Sequence, residues 1–349
     1  MTRYLGGLIT KDESLVIPAN NYEDTAAPGV WTLEEAQMLA KQGLWPTAGN
    51  AAPRGLFAGG ATASVIVNTI DFVVIDTTGN ASDFGDLASA TVAGAAFSSA
   101  TRGVFAGGYT SSKINVIQYV TIATEGNTTD FGDLSAARRN FSGLANATRG
   151  IVGGGVSDST ANLDVIEYVT TASTGNMTDF GNLTTARFLS ASFGSATRGI
   201  WAGGEPVGGA GSNVIDYVTI ASAGNATDFG DLEAILYGGA GVSSSTRGIV
   251  GGGWRANSDY TNVMQYVTIA STGNTTDFGD LTSTGWLLTS TANSTRGIFA
   301  GGTSGSGVKN VMDYVTIAST GNATDFGDLT SARNNLFYGM VSSAHGGLS

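Results

Sequence analysis

Arg198-Gly-Ile-Trp-Ala-Gly-Gly204, then Asn213-Val-Ile-Asp-Tyr-Val-Thr-Ile-Ala221, Gly224-Asn225 and Thr227-Asp-Phe-Gly-Asp-Leu232 make up a pattern that the chain writes six times. The arginine that opens each copy falls at Arg54, Arg102, Arg149, Arg198, Arg247 and Arg296, at steps of 48, 47, 49, 49 and 49 residues. A period of this length fits one four-stranded blade of a β-propeller. A ring of near-identical units is, in turn, a scaffold for binding or assembly.

Four strands fit each repeat. The second is the Arg-Gly-apolar run ending in a double glycine. The third, Asn213 to Ala221 in the fourth copy, is β-branched and apolar on both alternating faces, as a strand covered on both sides requires. Gly-Asn follows at Gly79-Asn80, Gly126-Asn127, Gly175-Asn176, Gly224-Asn225, Gly273-Asn274 and Gly321-Asn322, and predicts a two-residue hairpin turn of positive φ. The fourth strand carries Asp-Phe-Gly, and the first is the less regular run before the next arginine, such as Phe193-Gly-Ser-Ala196. No first strand precedes Arg54, whereas Leu336 to Gly347 echoes the segment Phe97 to Gly103 and then stops. The chain is therefore expected to be all-β: a six-bladed β-propeller of four-stranded blades, closed by its C-terminal strand, which removes exposed sheet edges.

Residues 1–50 stand outside the repeat and are expected to form an irregular arm before a propeller spanning 51–349. Thr32-Leu-Glu-Glu35 is a capping box, and Leu33, Ala36, Leu39 and Ala40 predict one short helix ending at Gly43. The opening MTRYLGGLITKDESLV lacks the basic start and apolar run of a signal peptide, and no stretch approaches the roughly 18 apolar residues of a membrane span. A net charge of −12 argues against nucleic acid or an anionic bilayer as partner. With no cysteine, neither a disulfide framework nor a thiolate metal site is available.

The double glycines, the third-strand tyrosines (Tyr119, Tyr168, Tyr217, Tyr266, Tyr314) and the Leu-x-x-Ala-Arg runs ending at Arg138, Arg187 and Arg333 resemble kelch repeats. Phenylalanine (Phe84, Phe131, Phe180, Phe229, Phe278, Phe326) stands where those repeats carry tryptophan. In the arm, Arg3-Tyr-Leu-Gly-Gly7, Gly29-Val-Trp-Thr-Leu-Glu-Glu35 and Gly43-Leu-Trp-Pro46 resemble leaders of virion structural proteins of tailed phages, notably marine ones. That resemblance implies a virion location after assembly in the host cytoplasm. It also implies an arm, with Tyr4, Leu5, Trp31 and Trp45, that docks on other virion proteins.

The six arginines have two readings. They form a basic ring for an anionic ligand, or they are fixed in the seams between blades. In the second case they pair with the third-strand polar position (Asp71, Gln118, Glu167, Asp216, Gln265, Asp313) or with an aspartate of Asp-Phe-Gly; because every repeat supplies these partners, the seam reading is preferred. The aspartate pairs of Asp-Phe-Gly-Asp lack the ligand number of a calcium loop and suit turn capping better. Each Gly-Asn also begins Asn-x-Ser/Thr, which six identical placements assign to turn chemistry rather than glycosylation. His345 is the only histidine, and no catalytic motif surrounds it. No enzyme activity and no cofactor or metal are expected.

The loops between second and third strands, and those leading into each first strand, differ from repeat to repeat. Recognition resides in such loops on a rigid scaffold. Tyr109, Tyr237, Trp254, Arg255, Tyr260 and Trp286 are the candidate residues for ligand or partner binding, as exposed anchors or as subunit contacts. The expected function is a non-enzymatic virion structural protein, associated with tail or fibre or otherwise surface-exposed, with one propeller face for a host surface glycan or a partner protein. Homo-oligomerisation stays open. The alternatives are a carbohydrate-active propeller enzyme, hydrolase or lyase, and a cytoplasmic interaction module.

Overall fold

The structure, a computed structural model, describes residues 52–348 apart from 160, 210 and 256–258. The chain divides into two compact units, Met1–Ala52 and Pro53–Ser349. The expected helix near 33–42 and the arm residues Tyr4, Leu5, Trp31 and Trp45 lie outside the described residues. Among the described residues every regular element longer than a turn is a β-strand.

Each repeat is an antiparallel meander. In the fourth, Ala191–Gly194 pairs with Arg198–Ala202, which pairs with Val214–Thr219, which pairs with Thr227–Asp231. The sheets of the second, third, fifth and sixth repeats have the same order, and the first has three strands, Arg54–Ala58, Thr69–Val74 and Ser82–Asp86. The C-terminal segment runs antiparallel to Arg54–Ala58: the Leu56 N–H donates to the Val341 carbonyl (2.9 Å) and the Ser343 N–H to the Arg54 carbonyl (3.2 Å). It occupies the place that a first strand takes in the other sheets.

Sequence dictates the register in detail. Ile215 faces Gly230 while Asp216 faces Asp228, so Phe229 is the extra residue of a bulge, and it is buried. The same bulge in all six sheets sets each Asp-Phe-Gly phenylalanine edge-on to the third-strand aromatic, with centroids 5.8–6.0 Å apart. Ile215, Val218 and Ile220 then bury the third strand between its neighbours. Hydrophobic clusters span consecutive sheets, as when Leu56, Ile70 and Phe84 meet Phe105, Val120 and Ile122.

Three further sets of bonds run from sheet to sheet, each in six steps of which the last returns to the first sheet. The Gly-Asn pair is the first. It does not make a two-residue hairpin, since residues 220–226 connect the third and fourth strands and the asparagine keeps negative φ in every repeat. The pair is pulled across to the preceding sheet. The Gly224 N–H donates to the Phe180 carbonyl, and Asn225 Oδ1 accepts from the Asn182 N–H. The six asparagine bonds measure 2.9–3.1 Å, ending with Asp328 N–H on Asn80.

The second set corrects the expected arginine partners. None of the six repeat arginines pairs with a third-strand carboxylate or with Asp-Phe-Gly. Each guanidinium lies 4.4–4.8 Å above the third-strand aromatic ring of its own sheet. Its Nη1 donates to a main-chain carbonyl of the next sheet, from Arg198 to Ile269 (2.9 Å) and, last, from Arg296 to Ile75 (2.8 Å). The planar cation thus has an aromatic face beneath it and a carbonyl at its edge. Arg54 adds an exposed contact with Glu125 at 3.5 Å.

The third-strand polar residue is the third set. Its side chain accepts a main-chain N–H from the residue after the fourth strand's leucine in the preceding sheet, at 2.9–3.0 Å in all six seams. Three of these residues also take a buried arginine four positions past that leucine: Arg138 with Glu167, Arg187 with Asp216 (2.9 Å) and Arg333 with Asp71. Where that place holds Thr91 or Leu236, the acceptor is Gln118 or Gln265. Where it holds Gly285, the acceptor is Asp313, with the Lys309 ammonium nearby on Ser283 and Thr284. Every seam is therefore charge-balanced, as burial of ions demands.

The chain's last residues are held by main-chain bonds to several sheets. His345 Nε2 donates to the Ser98 carbonyl (3.0 Å), and Nδ1 accepts from the Gly347 N–H (3.1 Å). Gly346 N–H donates to the Ser243 carbonyl. Both ring nitrogens are thus occupied by main chain, and burial lowers the imidazole pKa to about 4.

Candidate functional site

The segments that lead into the first strands meet around one centre. They are Val92-Ala93, Arg139-Asn140, Phe188-Leu189, Tyr237-Gly238, Trp286-Leu287 and Asn334-Asn335. The second residue of each pair has left-handed φ: 60° at Ala93, 57° at Asn140, 56° at Leu189, 67° at Gly238, 58° at Leu287 and 51° at Asn335. That conformation costs a non-glycine residue on the order of 1 kcal/mol. Main-chain bonds hold it in place. Ala93 N–H donates to Asn335, Asn140 to Ala93, Leu189 to Asn140, Gly238 to Leu189 and Leu287 to Gly238, all at 2.7–2.9 Å. Among the described residues the sixth step, from Asn335 N–H to the Leu287 carbonyl, is not made, and Asn335 is fixed instead by accepting from the Tyr338 hydroxyl (2.8 Å).

Over this ring lies a cavity of about 310 Å³. Ring residues Ala93, Asn140, Leu189, Leu287 and Asn335 line it, together with Val92, Arg139, Phe188, Glu205 and Trp286. Glu205 comes from the loop after a double glycine and pairs across strands with Phe188. The double glycine has to be glycine there: a Cβ at Gly203, whose φ is +65°, would stand 2.3 Å from the Leu236 carbonyl. Gly238 has a comparable reason, because Trp286 lies against it and a Cβ would meet the indole Nε1 at 2.2 Å.

Two polar groups at the cavity have no hydrogen-bond partner among the described residues. The Arg139 guanidinium rests 4.9 Å above the Tyr109 ring, and its Nε is buried without a hydrogen-bond partner. Among the described residues the Trp286 indole N–H is likewise buried and unpartnered. Among the described residues the Glu205 carboxylate forms no ion pair; burial raises its pKa, and burial followed by the Glu205 charge raises that of Tyr237. Below, burial raises the Tyr338 pKa against the opposing charge of Arg139.

Of the residues singled out from sequence, Tyr237, Trp254, Tyr260 and Trp286 form one continuous aromatic cluster. Trp254 lies 4.9 Å from Tyr260 and 5.6 Å from Trp286, and Trp286 lies 6.3 Å from Tyr237. Trp286 alone of these lines the cavity, Tyr109 supports Arg139, and Arg255 shares a short hairpin with Trp254 and Asp259. All six are half-buried rather than exposed; Tyr237, Trp254, Tyr260 and Trp286 fold against each other, and Tyr109 lies under Arg139. Sequence reasoning missed Arg139, Asn140, Phe188 and Glu205. The available signal was that Arg139, Phe188 and Glu205 occur once each, at places where the other repeats carry different residues, whereas Asn140 recurs as Asn335. The chain matches no protein-family model and no curated protein sequence.

Proposed function

We propose that the six sheets are the blades of a kelch-like six-bladed β-propeller, closed by the C-terminal strand, that serves as a non-enzymatic binding scaffold. Support for the ring comes from the three sets of inter-sheet bonds, each of which needs a sixth step back to the first sheet. One observation carries the binding role. The repeated arginine, asparagine and third-strand polar residue are consumed in the seams, whereas the unrepeated Arg139, Glu205 and Trp286 meet at one cavity, where Arg139 Nε and the Trp286 indole N–H are buried without a partner among the described residues. The face that holds this cavity and the Trp254 cluster is the face for a host surface glycan or a partner protein.

The particle in which it works is a tailed-phage virion, a reading that rests on the resemblance of the leader. In that setting Tyr4, Leu5, Trp31 and Trp45 join the protein to its assembly, and the individualised face points to its target. Removing residues 1–45 tests the division of labour. The truncated protein is expected to stay folded and soluble while failing to enter particles assembled in its presence; incorporation at the full-length level would refute the arm. Release of fragments from host envelope polysaccharide by the purified protein would refute the non-enzymatic reading.

A further inference from the structure

We propose that the axial cavity takes a compact zwitterion, a small molecule carrying both a carboxylate and an ammonium group, of which a free α-amino acid is the simplest case. This deepens the binding-face reading and rests on it. Arg139 and Glu205 come from different repeats, line the same cavity and make no ion pair with each other. The places equivalent to Arg139 hold Val92, Phe188, Tyr237, Trp286 and Asn334. Those equivalent to Glu205 hold Ala61, Tyr109, Val156, Trp254 and Thr303. The two charges therefore serve no repeated structural purpose, and keeping both partly out of water without a counter-charge among the described residues opposes stability.

A ligand with one charge would neutralise one of them and leave the other, and a neutral sugar can hydrogen-bond to both but neutralises neither. A zwitterion satisfies both. Its carboxylate meets the guanidinium fork of Arg139, steadied from below by Tyr109, with the Asn140 amide alongside. Its ammonium meets Glu205 beside the rings of Phe188 and Trp286, an arrangement of acid and aromatics suited to a cation. The apolar remainder faces Val92, Leu189 and Leu287. A volume of about 310 Å³ is at the small end of ligand sites, roughly 300–1,000 Å³, which fits an amino acid rather than an oligomer.

The test uses the full-length protein and free amino acids, screened by ligand-observed NMR and then titrated by calorimetry. The best binder is compared with its deaminated acid, its decarboxylated amine and neutral monosaccharides. Each one-charge analogue is expected to bind at least about tenfold more weakly, about 1.4 kcal/mol. Arg139→Gln should reduce the amino acid to the level of its amine, and the isosteric Glu205→Gln to the level of its acid, with circular dichroism confirming that both variants fold. Equal binding of either analogue, unchanged affinity in both variants, or no bound amino acid overturns the proposal. A monosaccharide bound in the cavity when amino acids are not overturns the ligand class alone and leaves the binding face standing. If nothing binds there and that face makes no contact in the assembled particle, both readings fall.

Discussion

His345 offers a sharp test of how the chain's end is held. Its ring is buried, donates from Nε2 to the Ser98 carbonyl and accepts at Nδ1 from the Gly347 N–H, which fixes the neutral tautomer. Protonation would place a second N–H against the Gly347 donor and a charge in a buried site. The folded pKa is accordingly about 4, against 6.5 for the free side chain. Between these values the unfolded state binds more protons, so stability is fully present above about pH 6.5 and is lost as pH falls toward 4. The full effect is about 3 kcal/mol, and between pH 7 and pH 5 the loss is about 2 kcal/mol. Other groups titrate in this range, so the measured quantity is the difference between wild type and His345→Gln, whose amide retains one donor and one acceptor. Urea unfolding at pH 7 and pH 5 should show wild type losing about 2 kcal/mol more than the variant. Because the chain has a single histidine, its imidazole C–H resonance needs no assignment and reports the pKa directly. A resonance that titrates near 6.5, or a pH-independent difference between the two proteins, would refute the buried neutral imidazole.

Two further outcomes follow from the seams. Arg187→Leu strands a buried Asp216 and should cost about 3–5 kcal/mol in chemical denaturation, while adding Asp216→Gln recreates the Leu236–Gln265 pairing and should restore most of it; a double variant as unstable as the single would refute charge balance as the seam's rule. Arg198→Ala removes the stacking on Tyr217 and the bond to Ile269, about 2 kcal/mol together, and Arg198→Lys should recover only part because an ammonium cannot lie flat on the ring; equal stability of Lys and Arg would rule out the planar contact.

Periodicity made the strands legible because the side chains that bury a third strand and the glycines that turn after a second recur at fixed offsets. Partners across the seams were not legible in the same way. Arg198 and the Ile269 carbonyl are 71 residues apart, and Asp-Phe-Gly supplies an acidic candidate in every repeat, so composition favoured an ion pair that geometry replaces with a carbonyl and a ring. The covariation of Arg138 with Glu167, Arg187 with Asp216 and Leu236 with Gln265 was visible in sequence, but only a known neighbour order tells which repeat to compare with which. At the cavity, Tyr237, Trp254, Tyr260 and Trp286 stood out as large aromatics on variable loops. Arg139 was hidden beside the repeated Arg138. The left-handed ring was hidden more deeply, since Ala93, Asn140, Leu189, Gly238, Leu287 and Asn335 share no chemistry that would mark them as one set.

Near-identical repeats carry a folding hazard, because any sheet could dock beside the wrong neighbour. The polar pairs in the seams act as keys against it. Were the third and fourth repeats to exchange places, Glu167 would face Leu236 and Arg187 would face Gln265, leaving a buried carboxylate and a buried guanidinium each without a counter-charge. The outer dress of the six units is uniform, but their order is spelled out in these six interior positions, so the chain proofreads its own assembly as each unit closes on the next.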